Sequence, residues 1–249
     1  MSINICTINL NNKIGLEKTF ISILNQTIKP SKWIIIDGIS DDGSLEIIEK
    51  IREEYFYPLE IIIEKDNGIY DAMNKGLFLS EMDSHILFLN SGDILKNKDC
   101  LEKISPILND KSSDIVYGHS EIFFPKSGKR IKRKANNKAY IKYSLPTIHQ
   151  SIFYPTSIKE NLKYRLNFPI SADYDLTLRA SKICNLHKVD QIISVFEYGG
   201  HSSQNKLELI YDMARSQREV LGMNFVLVLI YAAIRMTKMT ILRVISILK

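Results

Sequence analysis

A chain of 249 residues with 45% apolar side chains and a formal charge of +5 is long enough for one sizeable α/β domain, with or without an appendage. Its three cysteines, Cys6, Cys100 and Cys184, are odd in number, widely spaced and without a CxxC pair. That excludes a disulfide framework and a thiolate zinc site, and it suits a reducing cytoplasm. MSINICTINLNNK at the start is apolar only in alternation and lacks a basic segment followed by a long apolar core, so it does not read as a signal peptide and the mature chain is expected to begin at Met1.

INICTINL, residues 3–10, and WIIID, residues 33–37, are short, β-branched runs between polar turns and predict buried strands. Between them GLEKTFISILNQ puts Leu16, Phe20, Ile23 and Leu24 on one helical face, completing a βαβ unit. The alternation continues with SLEIIEKIREEY as helix, LEIIIEK as strand, GIYDAMNKGLFLSE as helix and SHILFLN as strand. Such an order predicts an α/β fold with a mainly parallel, Rossmann-like sheet flanked by helices on both faces. Beyond residue 100 the pattern weakens. DCLEKISPILND predicts a helix, DIVYGHSEIFFP a strand, KSGK a hairpin turn, and YDLTLRASKIC a helix.

Two stretches differ in character. Residues 126–142 carry eight Lys or Arg and no acid, which reads either as a solvated run or as a contact for phosphate. Nucleic acid is not favoured, because few aromatics interleave with those charges. The C-terminal segment has ten consecutive apolar residues, Phe225 to Ile234, then Arg235, Lys238 and Arg243. That is too short and too basic for a spanning helix. It suits an amphipathic helix lying on an anionic membrane surface, or one packed on the chain's own core or a partner copy. The expected division is a domain over residues 1–205 and a C-terminal helical region over 206–249.

In open α/β sheets ligands bind beyond the carboxyl ends of the strands, and three acidic clusters lie at such ends. IIIDGISDDGS carries Asp37 at a strand end and a polar turn into a helix, where helix capping by Ser40 or Asp41 is the plain alternative. EKDNGIYDAMNKG carries Asp66, Asp71, Asn74 and Lys75, with an i,i+4 pair between Asp71 and Lys75 as the plain alternative. FLNSGD carries Asn90 and Asp93, oxygen ligands of the kind hard divalent cations prefer, and Gly92, which lets a diphosphate approach the backbone.

In that order the three blocks resemble the inverting nucleotide-sugar glycosyltransferases of family two, which have the GT-A fold, over about residues 3–200. The wording DG.SDDGS, GIYDAMNKG and LNSGD is similar to the branch that builds bacterial exopolysaccharide and O-antigen repeats. The resemblance implies a nucleotide-sugar site formed by Thr7, Asn9, Asp37, Ser40, Asp42, Asp66, Asn74, Asn90, Ser91 and Gly92. It also implies that Asp93 holds Mg or Mn between the donor phosphates. Asn90 and Gly92 stand where Asp is usual, and Met73 where many relatives carry Arg.

Inverting transfer needs a base near the acceptor hydroxyl and a stabilised diphosphate leaving group. Matching SADYDL onto the family's acidic turn puts Asp173 at the base position, with Ala172 in place of the usual Glu. Asp175 is the rival, and a capping role for Asp173 the alternative. PTIHQSIFY resembles the segment framing the acceptor side, so His149 and Gln150 are candidates for acceptor or phosphate contacts, as is His201 in YGGHSSQ. The implied acceptor is a saccharide, above all one linked to a polyprenyl diphosphate. An enzyme using it would sit peripherally on the cytoplasmic face of the cell membrane. A non-catalytic nucleotide-sugar-binding module and a nucleotidyltransferase are the other readings; the latter wants a glycine-rich phosphate loop that NLNNKIG lacks.

Overall fold

The computed structural model describes residues 2–199 and 205–247, without the side chains of Lys206 and residues 238–247. Strands β1 (Ser2–Asn9), β2 (Lys32–Asp37), β3 (Leu59–Ile63) and β4 (Ser84–Phe88) alternate with helices α1 (Lys13–Leu24), α2 (Ser44–Glu54) and α3 (Ile69–Leu79). These four strands pair in the order β3-β2-β1-β4, all parallel. Strand periodicity turns Ile3, Ile5, Trp33, Ile35 and Leu87 towards α1 and α2, and Cys6, Ile8, Ile34, Ile36 and Phe88 towards α3. Burial on both faces explains why these strands read as unbroken apolar runs.

The remainder adds β5 (Ile94–Leu95), α4 (Cys100–Asp110), β6 (Ile115–Phe124), β7 (Lys129–Arg133), β8 (Ile152–Pro155), α5 (Ala172–Ala180), β9 (Leu186–Glu197), α6 (Lys206–Leu221) and α7 (Phe225–Ile247). The sheet continues from β4 through β8, β6, β9 and β5, with β7 paired to β6. It is parallel through β4 and mixed beyond it, since β8 runs antiparallel to both its neighbours and β5 antiparallel to β9.

Two packing details set the positions of site elements. A Cβ on Gly76 would overlap the Cys6 thiol, so glycine is what lets α3 lie directly on β1. Trp33 stacks on Phe20 with centroids 6.0 Å apart, meets Tyr55 edge-on at 5.1 Å, and donates its indole N–H to Thr7 Oγ1 at 3.0 Å. Thr7, a candidate from its motif, is thus a buried partner of Trp33. Its hydroxyl already satisfies an otherwise orphaned buried donor.

The two C-terminal helices pack in different ways. Helix α6 continues the core: Met213 packs with Ile141, Tyr174 and Leu178 against α5 and the preceding turn. Helix α7 buries Val228, sets Tyr231 edge-on to Tyr143 at 5.4 Å, and lays the Arg235 guanidinium over the Tyr143 ring at 4.8 Å. Residues 228, 231 and 235 share one helical face. On the other, Phe225, Val226, Leu229, Ile230 and Ile234 remain exposed. Among the described residues no helix is long and apolar enough to cross a membrane.

Candidate active site

The site starts from Asp37, wholly buried at the carboxyl end of β2. Its Oδ2 accepts from Asn9 Nδ2 at 2.7 Å and from Ser40 Oγ at 2.8 Å, and its Oδ1 accepts from the Ser40 amide at 2.8 Å. Buried hydrogen bonds of this kind contribute about 0.5–1.5 kcal/mol net each. They fold residues 38–43 back over the end of β1. The Asn11 amide donates to Ser40 Oγ and Asn11 Oδ1 accepts from the Asp41 amide, so the loop after β1 is tied to the loop after β2. Asp42 does the capping that was read onto Ser40 or Asp41. Its Oδ1 accepts from the Ser44 amide and hydroxyl, and its Oδ2 from the Lys13 amide at 2.7 Å, which holds its carboxyl below the usual range.

The turn after β4 is held from α1. Asn12 Nδ2 donates to the Ser91 carbonyl at 3.0 Å while its Oδ1 caps the Gly15 amide. Thr19 Oγ1 donates to the Asp93 carbonyl at 2.8 Å and accepts from the Gly92 amide at 3.1 Å. Gly92 sits at φ +100°, a conformation that only glycine adopts freely. Motif reading missed both staples, although a threonine among the apolar residues of α1 was a visible irregularity.

Three polar atoms around these loops are buried without a partner among the described residues: Asn9 Oδ1, Asn90 Oδ1 and Ser91 Oγ. Each costs about 1–3 kcal/mol unless something outside the chain satisfies it. They lie at the ends of β1 and β4, adjacent parallel strands. The geometry is that of a cleft floor built to meet a polar ligand.

Asp93 is 4% exposed; its Oδ1 accepts from the Glu197 amide at 3.1 Å and its carboxyl also accepts from Gln150. Burial pushes it up to about 8. No three His, Cys, Asp or Glu side chains converge as a metal site among the described residues. A hard cation nevertheless fits here on donor chemistry. Asp93 and the unpartnered Asn90 Oδ1 offer oxygens in one turn, and an ion shared with diphosphate and water needs only one or two ligands from protein.

Residues 149–173 join that turn to the candidate base. His149, next to Gln150, is 5% exposed, stacks on Phe88 at 5.4 Å and bonds through Nε2 to the Tyr164 hydroxyl at 2.9 Å. Burial lowers it to about 3, so it is neutral. Tyr164 stacks on Tyr70 at 5.5 Å. Both ends of the Asn74 amide are taken by the Tyr164 backbone, at 2.8 and 3.0 Å. Asn74, a candidate from its motif, thus braces this loop. Asp66 pairs with Lys75 at 2.6 Å and lies beside Gly38, so it does flank the first cluster. Lys75 thus reaches back to Asp66 and Glu64 and not to Asp71, whose Oδ2 instead accepts from the Asn67 amide.

Asp173, placed at the base position by the resemblance, and its rival Asp175 part company in three dimensions. Asp175 is wholly buried and clamped by Arg165 on both oxygens, by Arg179 Nε at 2.9 Å and by Ser216 Oγ at 2.7 Å. These cations hold its carboxyl low in spite of its burial. Asp173 has no cation beside it among the described residues and is partly exposed in the first turn of α5; desolvation pushes it up to about 6. One is a structural anchor and the other a carboxylate poised to exchange protons near neutrality. His201 lies outside the described residues.

Residues 2–171 match the model for glycosyl transferase family 2, and the chain belongs to that family. It is 29% identical over 224 residues, 84% of this chain and 82% of the relative, to a PGL/p-HBAD biosynthesis glycosyltransferase of Mycobacterium tuberculosis. A cholesterol galactosyltransferase of Borreliella burgdorferi is 32% identical over 124 residues, half of this chain and 33% of its own. Among solved structures, S. aureus TarS 1-349 in complex with UDP-GlcNAc superposes with a TM-score of 0.65 at 18% identity, covering 87% of this chain and 66% of that one. The mannosyltransferase PcManGT from Pyrobaculum calidifontis, in complex with GDP-Man and Mn2+, gives 0.65 at 11%, covering 89% and 64%. The curled, mixed sheet with flanking helices is thus the GT-A fold.

Neutral His149 predicts a pH dependence of stability. An ordinary histidine titrates near 6.5, whereas this one stays neutral in the fold down to about 3. Below 6.5 the unfolded chain therefore binds the proton that the folded chain refuses. The stability it contributes is complete above 6.5 and declines as pH falls towards 3, with a limiting slope of about 1.4 kcal/mol per pH unit. Burial lowers His85 in the same direction. The diagnostic is accordingly a difference: urea unfolding between pH 6.5 and 5 should show a shallower loss in His149→Gln than in the unsubstituted chain, and equal slopes would refute the assignment.

Proposed function

We propose that the chain is an inverting glycosyltransferase, moving a hexose or N-acetylhexosamine from a UDP-sugar to a hydroxyl of a lipid-linked saccharide at the cytoplasmic membrane face. The observation that carries the reading is Asp173, an uncompensated carboxylate raised to about 6 and joined through Tyr70, Tyr164, His149 and Gln150 to the turn bearing Asp93. In this reading Asp173 takes the acceptor hydroxyl's proton as that oxygen attacks the anomeric carbon. The nucleoside diphosphate leaves with the electron pair of the broken bond, and the configuration inverts. Asn9, Asp37 and Ser40 hold the nucleoside, with Asp42 and Asp66 shaping the loops around it. Asn90, Ser91 and Gly92 meet the diphosphate.

Asp93 and Asn90 Oδ1 would hold Mg or Mn, which when bound neutralises charge on the leaving diphosphate. Support for UDP comes from the TarS complex and support for a divalent cation from PcManGT. The galactosyltransferase relative's acceptor, cholesterol, favours a lipidic acceptor here.

Membrane attachment is supported by two surfaces. The exposed face of α7 presents Phe225, Leu229 and Ile230, and the hairpin through β7 exposes Lys126, Lys129, Arg130 and Lys132. An interfacial helix with basic neighbours is what holds a peripheral protein on anionic lipid.

Two tests follow. With a screen of UDP-sugars and a synthetic diphosphate-lipid acceptor, Asp173→Asn should lower turnover at least about 100-fold with its melting temperature held. Asp175→Asn should instead destabilise the fold by about 3–5 kcal/mol, because it leaves buried cations unpaired. The activity of the unsubstituted chain should rise with pH through about 6, as the base ionises. Undiminished transfer by Asp173→Asn would sink the assignment. For attachment, Phe225→Ser with Leu229→Ser keeps the packed face of α7 and should cut binding to vesicles containing phosphatidylglycerol at least about tenfold; unchanged binding would contradict it.

A further inference from the structure

We propose that Tyr70 on α3 and Asp212 on α6 are positioning residues, gripping the Ile170 peptide from opposite sides and so aiming the carboxylate of Asp173. The inference rests on the reading of Asp173 as base. Tyr70 Oη donates to the Ile170 carbonyl at 2.9 Å. Asp212 Oδ2 accepts from the Ile170 amide at 3.1 Å and from the Ser171 amide at 3.3 Å. Both polar groups of one residue are thus tied to side chains of two helices that lie 142 positions apart in the chain (212 − 70). Asp212 is only 2% exposed, and a carboxylate sharing two backbone N–H groups is a strong clamp.

The grip sits where it controls direction. Ser171 is the N-cap residue of α5 but makes no side-chain cap bond, so the entry of the chain into that helix is set by Asp212 and Tyr70 instead. Asp173 follows two residues later, in the first turn. Farther along, Ser216 of α6 reaches Asp175, and Glu219 reaches Arg165, so α6 holds α5 and its approach at two further points. None of α6 falls within residues 2–171, the stretch that matches the family model.

Tyr70 has a second role in the same place. Its hydroxyl also lies within hydrogen-bonding reach of the Asp173 carboxylate and the amides of Ala172 and Asp173. The hydroxyl that holds the Ile170 carbonyl thus also lies beside the carboxylate, where it lowers the base's proton affinity. The groups that face Asp173 are Tyr70 from α3, Tyr154 from β8 and Tyr164 from the loop before α5, with Asp175 on its own helix and Asp212 behind Tyr70. All three tyrosines stay protonated, since burial drives each upward. The Tyr174 amide donates to Asp173 Oδ1 at 2.8 Å, and Tyr70 is the side-chain donor that favours the ionised base, which makes it the residue whose removal has a readable sign.

The experiment is a carbon-13 NMR titration of aspartate-labelled protein, with the Asp173 signal assigned by its loss in Asp173→Asn. Tyr70→Phe keeps the ring stacked on Tyr164 and removes only the donor. Its Asp173 midpoint should move up from about 6 by roughly half a unit to one unit, the direction in which losing a donor to the charged form shifts a carboxyl. Hydrogen exchange at the Ile170 and Ser171 amides should quicken at least about tenfold in Asp212→Ser, with remote core amides unchanged. In transfer assays with UDP-sugars both variants should lower kcat about tenfold while leaving the donor KM in place. An unmoved Asp173 midpoint in Tyr70→Phe, or unaltered exchange in Asp212→Ser, overturns the proposal. Neither readout uses turnover, so they separate this failure from a failure of Asp173 as base, which would appear as full activity in Asp173→Asn.

Discussion

The organising constraint of the site is one buried carboxylate. Asp37 has no exposure, and its oxygens are satisfied by Asn9 and Ser40, so the ends of β1 and β2 and the loop between β2 and α2 become one rigid body. From there Asn11 and Asp42 fix the start of α1, and Asn12 and Thr19 carry the connection to the turn at Asp93. Each bond contributes only about 1 kcal/mol net, but removing a partner from such a network costs more than one bond, because the survivor is left buried and unsatisfied. The cleft floor is therefore preformed, with its open polar atoms already aimed.

The second half of the site depends on aromatic packing. Phe88, His149, Tyr164 and Tyr70 form a contiguous wall from the Asp93 turn to the Asp173 loop. Partial burial beside that wall raises the carboxylate's basicity, while Arg165 and Arg179 pair with Asp175 instead. Two acids two residues apart acquire opposite characters from their surroundings alone, which is the usual way in which a catalytic carboxylate is told from a structural one.

How much of this was legible depended on whether local pattern carried it. The first four strands and three helices could be read because their residues alternate or recur at 3.6 by their own chemistry. Strands β8 and β9 could not. Ile152–Pro155 is too short to show a period, and β9 pairs with β6 across register shifts at His119 that blur its alternation. Motif reading named Asn9, Asp37 and Ser40, which bond to one another, but motif position says nothing about the partners Thr7 finds in Trp33, 26 residues away, or Asn74 in the Tyr164 backbone, 90 away. Asp212 was invisible for the same reason, although an acid in the buried company of Ile210 and Met213 was a sign. The tail's two readings each describe one face of α7, since a helix can pack through Val228 and Arg235 and still present Leu229 and Ile230 outward.

The most direct test of the account is isothermal titration of UDP into the chain, with and without Mn2+. A preformed donor floor predicts saturable one-to-one binding that tightens with Mn2+ and is abolished in Asp37→Asn, where the loop loses its anchor. Absence of binding heat at millimolar UDP under both conditions, or unaltered affinity in Asp37→Asn, would contradict it.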